Sequence, residues 1–355
     1  MKQWVKTHED VPQWASRLGV SEAACRILVD AEFIDLHLDL EVPVRLFGYD
    51  PAKRHSVKRT PWPFFGHTDF PRLLEAGFTG LVYDIATNPV RPPGNRLAAT
   101  LRNLNTVRAR IQEYPDAMAV VTTYAEYEAA RREGKLAFWL SLQGGNALIA
   151  DPTVLSGWVG DCLHRITLVH LTRSGLGGTN SPLGGDGGLT ELGRDFVSRC
   201  NERRILVDLA HAGKKTFWDT IDVHASHSPP IVSHTGVSAV HDHWRNVDDA
   251  QIKAIAERGG VIGIMYQSSF LEPTLTFGSR SAIVDHLEHV VALVGEDYAA
   301  IGTDYDGAII PPSDLPDVTH HPLLVQDMLD RGWSERRIQK ILGLNYLRVV
   351  KQARP

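Results

Sequence analysis

Cysteine is nearly absent. Three occur in 355 residues, Cys25, Cys162 and Cys200. An odd set without a CxxC pair excludes both a disulfide scaffold and a thiolate zinc knuckle, and leaves reduced core thiols. Long apolar runs are missing too. The opening MKQWVKTHEDVPQW carries no apolar stretch like that of a signal peptide, and no later run approaches the roughly 20 apolar residues of a membrane helix. The expectation is a soluble, cytoplasmic chain with no membrane contact. Nor is there a long basic run. With a formal net charge of -5, the counterion release that drives nucleic-acid binding has no source, so nucleic acid is excluded as a partner.

What is present is an ordinary globular balance, 43% apolar and 22% charged, enough for a sizeable core. Short β-branched or apolar runs alternate with helical patterns: FIDLHLDL from Phe33, GLVYDIAT from Gly80, LAFWLSLQ from Leu136, RITLVH from Arg165, ILVDLAH from Ile205, PIVSH from Pro230, GVIGIMY from Gly260 and AAIGTDY from Ala299. Between them, Ile283, Leu287, Val290 and Val294 keep helical spacing up to Gly295, and a second helix is expected from Val247 to Arg258 with Gly259 as its stop. Eight alternating units predict an α/β fold, a (β/α)8 TIM barrel forming one domain over residues 1–355, with a short N-terminal helical extension and a C-terminal helix. The active site of such a barrel lies at the C-terminal ends of its strands. The stretch from Tyr49 to Pro71, rich in proline, aromatics and bases, reads as a long loop over the mouth that could serve as a lid.

In the first strand, the two-residue period puts Phe33, Asp35, His37 and Asp39 on one face and Ile34, Leu36, Leu38 and Leu40 on the other. His37 and Asp39 then point together into the mouth, either as ligands of a divalent ion or as a hydrogen-bonded pair in the core. Three more histidines, His170, His211 and His234, end predicted strands, and Asp304 adds a carboxylate at the end of AAIGTDYDG. A structural histidine can sit anywhere along its strand, so this convergence favours a metal or catalytic cluster.

These pieces occur in one order: DLHLDL, GHTDFPRLLEAG, GGLTELGRDFVSRCNERRILVDLAHAG, SHTGVSAVHDHWRNVDDAQIKAIAERGGVIGI, GTDYDG and RGWSERRIQKILGLNYLRV. In that order the chain resembles the renal (membrane) dipeptidase family of zinc peptidases, from about Asp35 to Val350. The resemblance implies that His37 and Asp39 serve one zinc site and that His211 and His234 serve the other. It further implies that His170 contacts the reacting carbonyl, that Arg245 holds the substrate's terminal carboxylate and that Asp304 handles the proton of the attacking water. The implied activity is hydrolysis of the amide bond of a dipeptide or dipeptide-like substrate by a metal-bound hydroxide. Another small N-acyl or cyclic amide is the alternative substrate, and a binding homologue without turnover is the alternative outside enzymology. The partner expected is a small peptide-like molecule, and a homodimer is compatible with the composition.

The main break in the family pattern lies at one position. The glutamate expected to bridge two zinc ions falls on Gln143 in SLQGGNAL. Two dications about 3.5 Å apart repel by roughly 19 kcal/mol at an effective dielectric near 20, and a neutral amide offsets little of this. One tight zinc ion is expected, with a second weak or absent. Asn146, Met265, Tyr266 and Gln267 also depart from the family and are expected to line the same mouth. His67 and Asp69 are given no catalytic role. The pairs His241 with His243 and His320 with His321 are expected to be exposed or to lie behind the site.

Overall fold

The computed structural model describes residues 10–56, 63–86, 91–185 and 187–355. Nine parallel strands run through it: β1 (Ile34–Leu38), β2 (Gly80–Ala86), β3 (Met118–Val120), β4 (Leu136–Gln143), β5 (Leu163–Thr167), β6 (Leu206–Asp208), β7 (Val232–Thr235), β8 (Ile262–Ile264) and β9 (Ala299–Ile301). The order β1-β2-β4-β5-β6 forms one arc and β7-β8-β9 a second. Single bridges join the arcs, Asp208 to Ile231 and Leu38 to Tyr305, and the ring of eight predicted strands is closed. The strand unforeseen from sequence is β3, a three-residue run too short to show a period. It pairs with Leu136–Phe138 of β4, while β5 takes the later half of the same edge.

The predicted helices have the expected stops. Arg280–Val294 ends at Gly295 with φ 98°, and Asp249–Glu257 opens with a capping box between Asp248 and Gln251. Helices Val11–Leu18 and Glu22–Asp30 precede the ring, and Asn345–Ala353 follows it. Of the Tyr49–Pro71 loop, residues 57–62 lie outside the described residues. All three cysteines are buried, as expected, and no disulfide joins them. No helix among the described residues is long and apolar enough to cross a membrane.

The first strand does not keep the period assumed for it. Ile34 and Leu36 pack in an apolar cluster with Val82, Trp139, Leu206 and Val261. That set draws on strands all round the ring and so fills its interior floor. Leu38 and Leu40 belong instead to the larger cluster between strands and helices. The cause is a register slip between Asp35 and Leu38, which turns Leu38 to the opposite face from Leu36. Asp35 therefore leaves the mouth. Its carboxylate accepts from the backbone N–H groups of His37 (3.0 Å) and Thr303 (2.9 Å), filling the gap in the ladder.

Candidate metal centre and active site

Above the floor lies a fully buried ionic layer. Arg165 on β5 donates to Ser141 Oγ at 2.8 Å and contacts the Asp84 carboxylate, with Asp208 3.7 Å from its Nε. Although burial works the other way, Arg165 and His37 hold the Asp84 carboxyl below the usual carboxylate range. This layer orients two imidazoles. His37 Nδ1 lies 3.0 Å from Asp84 Oδ2, and His234 Nδ1 lies 2.8 Å from Ser233 Oγ, whose hydroxyl donates to Asp208 at 2.6 Å. A ring N–H committed to each of these acceptors turns both Nε2 atoms toward the mouth, which is how carboxylates behind a histidine fix a metal ligand. Arg165, Asp84 and Asp208 were missed in the sequence, yet each is a charge inside an otherwise apolar strand run, and that was a usable signal.

The mouth brings together every predicted ligand. His37 Nε2 lies 3.3 Å from Asp39 Oδ2 and 3.6 Å from Asp304 Oδ1, and the Nε2 atoms of His211 and His234 are 3.0 Å apart. The rings of His37 and His234 stack at 3.7 Å. At the centre, the Gln143 amide nitrogen is 3.3 Å from His37 Nε2, 3.3 Å from His211 Nε2 and 3.4 Å from His234 Nε2. A half-turn of the amide exchanges its nitrogen and oxygen, so Gln143 can offer either an N–H to an imidazole or a carbonyl to a cation.

These donors fit a divalent ion. His37, His234 and Asp304 place ligand atoms within 4.8 Å of one another, and two ligands of one tetrahedral zinc stand about 3.3 Å apart. Burial holds His211 and His234 well below their ordinary pKa and takes His170 to about 4, so all three are neutral and able to bind metal or donate a hydrogen bond at neutral pH. His37 differs: burial pulls it down, but Asp84 and then Asp39 carry it up to about 10, marking a position where positive charge is held. Burial, reinforced by Asp39, pushes Asp304 well above the carboxylate range. Asp39 Oδ1 has no hydrogen-bond partner among the described residues.

His211 (φ 64°) and Asp304 (φ 60°) adopt left-handed backbone that non-glycine residues rarely visit, and such strain concentrates at functional sites. Next to them, a Cβ on Gly307 would stand 2.3 Å from Asp304 Oδ1 and 2.8 Å from Asp39 Oδ2, so only glycine lets the two carboxylates draw this close.

The cluster opens into a cavity of about 600 Å³ lined by His170, Arg245, Met265 and Gln267 among others. Arg245 is no surface salt bridge. It is 1% exposed, donates to the His234 carbonyl at 2.8 Å, and is brought by burial to about 10. Two expected lining residues are not there. Tyr266 is fully buried against Tyr305 and His321, and Asn146 does not reach the cavity. His321 is also fully buried, between Phe33 and Phe78, so it is a core residue rather than an exposed one. His243 accepts from the Arg245 backbone N–H at 3.2 Å and stands behind the site as expected.

A search for similar proteins agrees with this chemistry. The chain is 28% identical over 341 residues to dipeptidase verJ of Clonostachys rogersoniana, covering 92% of this chain and 85% of that one. The probable dipeptidase PvdM of Pseudomonas aeruginosa has the same fold, with a TM-score of 0.84 at 17% identity over 94% of this chain and 98% of that one. So has a metallopeptidase of Rhodobacter sphaeroides solved with a phosphinate mimic of L-Ala-D-Ala, with a TM-score of 0.78 at 24% identity over 91% and 99%. The sequence model of membrane dipeptidases matches residues 21–355. With a ring of imidazoles and carboxylates at the C-terminal rim of a parallel barrel, the chain belongs to the membrane dipeptidase family, peptidase family M19, and is a metallohydrolase.

Proposed function

We propose that this enzyme cleaves the amide bond of dipeptides or dipeptide-like substrates with the residues of the mouth in distinct roles. The observation that carries this is the convergence of three imidazole Nε2 atoms on the Gln143 amide, with Asp39 and Asp304 beside them. His37, Asp39, His211 and His234 hold the metal, zinc in our reading, with one tight ion and a second weakened by Gln143. When bound, the metal supplies a Lewis acid that polarises the scissile carbonyl and makes water more acidic. His170, neutral and lining the cavity, donates an N–H to the oxygen as negative charge grows on it. Arg245 clamps the terminal carboxylate with two parallel hydrogen bonds and fixes the scissile bond over the cluster. Asp304, its Oδ1 3.6 Å from His37 Nε2 at the edge of the cluster, takes the proton of the attacking water as a carboxylate and delivers it to the leaving amine.

Zinc per chain, measured on protein purified without chelator, together with hydrolysis of Ala-Ala at saturating zinc, tests the reading. Metal content near zero under those conditions, or no turnover with metal bound, defeats it. Because Met265 and Gln267 line the cavity where the family resemblance leads one to expect other side chains, a second reading is a different small amide cut by the same machinery. It is favoured if C-terminal amides are cut as well as free dipeptides.

A further inference from the structure

The cavity wall has a charge pattern that the metal cluster does not explain. Among the described residues that line it, the carboxylates are Asp39 and Asp304, both beside the cluster, whereas the arginines are three, Arg45, Arg91 and Arg245. Arg245 follows β7. Arg45 lies on the short helix after β1 and donates to the Ala86 carbonyl at the end of β2, at 3.0 Å, and Arg91 is five residues beyond Ala86 in the sequence. In the ring order β1-β2-β4-β5-β6-β7-β8-β9, β2 and β7 are four places apart, so they face each other across the mouth.

Neither Arg45 nor Arg91 makes an ion pair among the described residues; Arg45 is satisfied by the Glu41 and Ala86 carbonyls alone. Arg45 is exposed and Arg91 half-buried, and two guanidiniums on one cavity wall that pair with no carboxylate among the described residues form a site for an anion. The remaining wall on this side is apolar, with Val42, Leu46 and Phe64, and suits the methylenes of a side chain.

We propose that Arg45 and Arg91 form an anion subsite opposite Arg245, so that the preferred substrates are dipeptides whose N-terminal residue carries an acidic side chain. The inference rests on the reading that Arg245 takes the terminal carboxylate, which leaves the N-terminal residue to reach across the mouth. A substrate of this kind carries two negative charges and meets a cation at each end.

The test compares Glu-Ala with Gln-Ala, which share shape and differ in charge, on the zinc-loaded enzyme and its R91Q and R45Q/R91Q variants, each checked for fold by circular dichroism. The expected result is a kcat/KM for Glu-Ala about tenfold above that for Gln-Ala, carried mainly by KM. The ratio should shrink at high salt and fall toward one in the variants. A ratio near one in the natural enzyme, or one that survives both variants, overturns the subsite. Ala-Ala serves as the control for peptidase activity itself. If no dipeptide is cut, the dipeptidase reading fails, and calorimetric binding of Glu-Ala against Gln-Ala still decides the subsite: tighter binding of Glu-Ala that R91Q abolishes supports it, and equal binding overturns it.

Discussion

Gln143 sits where three imidazoles meet, and it brings no charge to the centre. Gln143→Glu places a carboxylate within reach of His37, His211 and His234. Zinc per chain, read by elemental analysis, should then rise toward two; unchanged content would remove Gln143 from the bridging position. Gly307→Ala drives a methyl into Asp304 and Asp39. The variant should lose at least tenfold in kcat while its unfolding midpoint stays close to that of the parent, and a fully active variant would show that the carboxylate pair can spread without cost. Arg245→Ala should raise KM for a dipeptide far more than for its C-terminal amide, and equal effects would remove the carboxylate clamp. At this scale the sequence was most legible where chemistry and strand ends coincide, at His37, Asp39, His170, His211, His234 and Asp304. It was least legible for His321 and Tyr266. Nothing in a local pattern says that a polar ring is enclosed by aromatic neighbours from distant segments.

Among the elements, the loop before the helix Phe70–Glu75 shows how a feature without catalytic residues can still serve the site. The Asp306 carboxylate accepts from the backbone N–H groups of Gly66, His67 and Thr68, and the Asp306 N–H donates to His67 Nδ1 at 3.0 Å. Asp306 lies two residues beyond Asp304, so this clamp steadies the strained turn on which Asp304 depends. Behind it, Arg72, 1% exposed, joins Asp69 at 2.7 Å and Asp317 at 3.1 Å. Arg72→Met would leave buried Asp69 facing no cation and Asp317 with His320 alone, 2.7 Å away, and should cost about 3–5 kcal/mol in urea unfolding; a loss below 1 kcal/mol would mean that water reaches the Asp69 carboxylate. The strands themselves were readable from alternation with helices. Two things hid from that reading: β3, because three residues carry no period, and the slip in β1, because a two-residue alternation cannot reveal where its own phase breaks.

For the whole molecule, buried histidines set the response to acid. Burial brings His224, His286 and His321 each to about 4, below the value near 6.5 that the unfolded chain has. Between those values the unfolded chain binds more protons than the native one. Stability is therefore fully present above about pH 6.5 and falls as pH drops toward 4, by about 1.4 kcal/mol per pH unit for each such histidine. Asp35, raised by burial to about 6, opposes this with a single proton. The urea midpoint should decline steeply from pH 6.5 to 5, with a shallower slope in His321→Gln. A midpoint that does not move would show that these rings take up protons in the native state.

The barrel is closed by two narrow seams, and this has a kinetic consequence. At one, Asp304 N–H meets the His37 carbonyl and Asp39 N–H meets the Tyr305 carbonyl, each at 3.0 Å; at the other, Leu209 N–H meets the Ile231 carbonyl at 2.8 Å. His37 and Asp39 face Asp304 across the first seam, and His211 faces His234 across the second. Each arc can form from its own stretch of chain, but the ligand set exists only once the arcs have met. An ion bound there acts as a latch on a ring already shut: it should slow unfolding strongly and leave the refolding rate almost untouched.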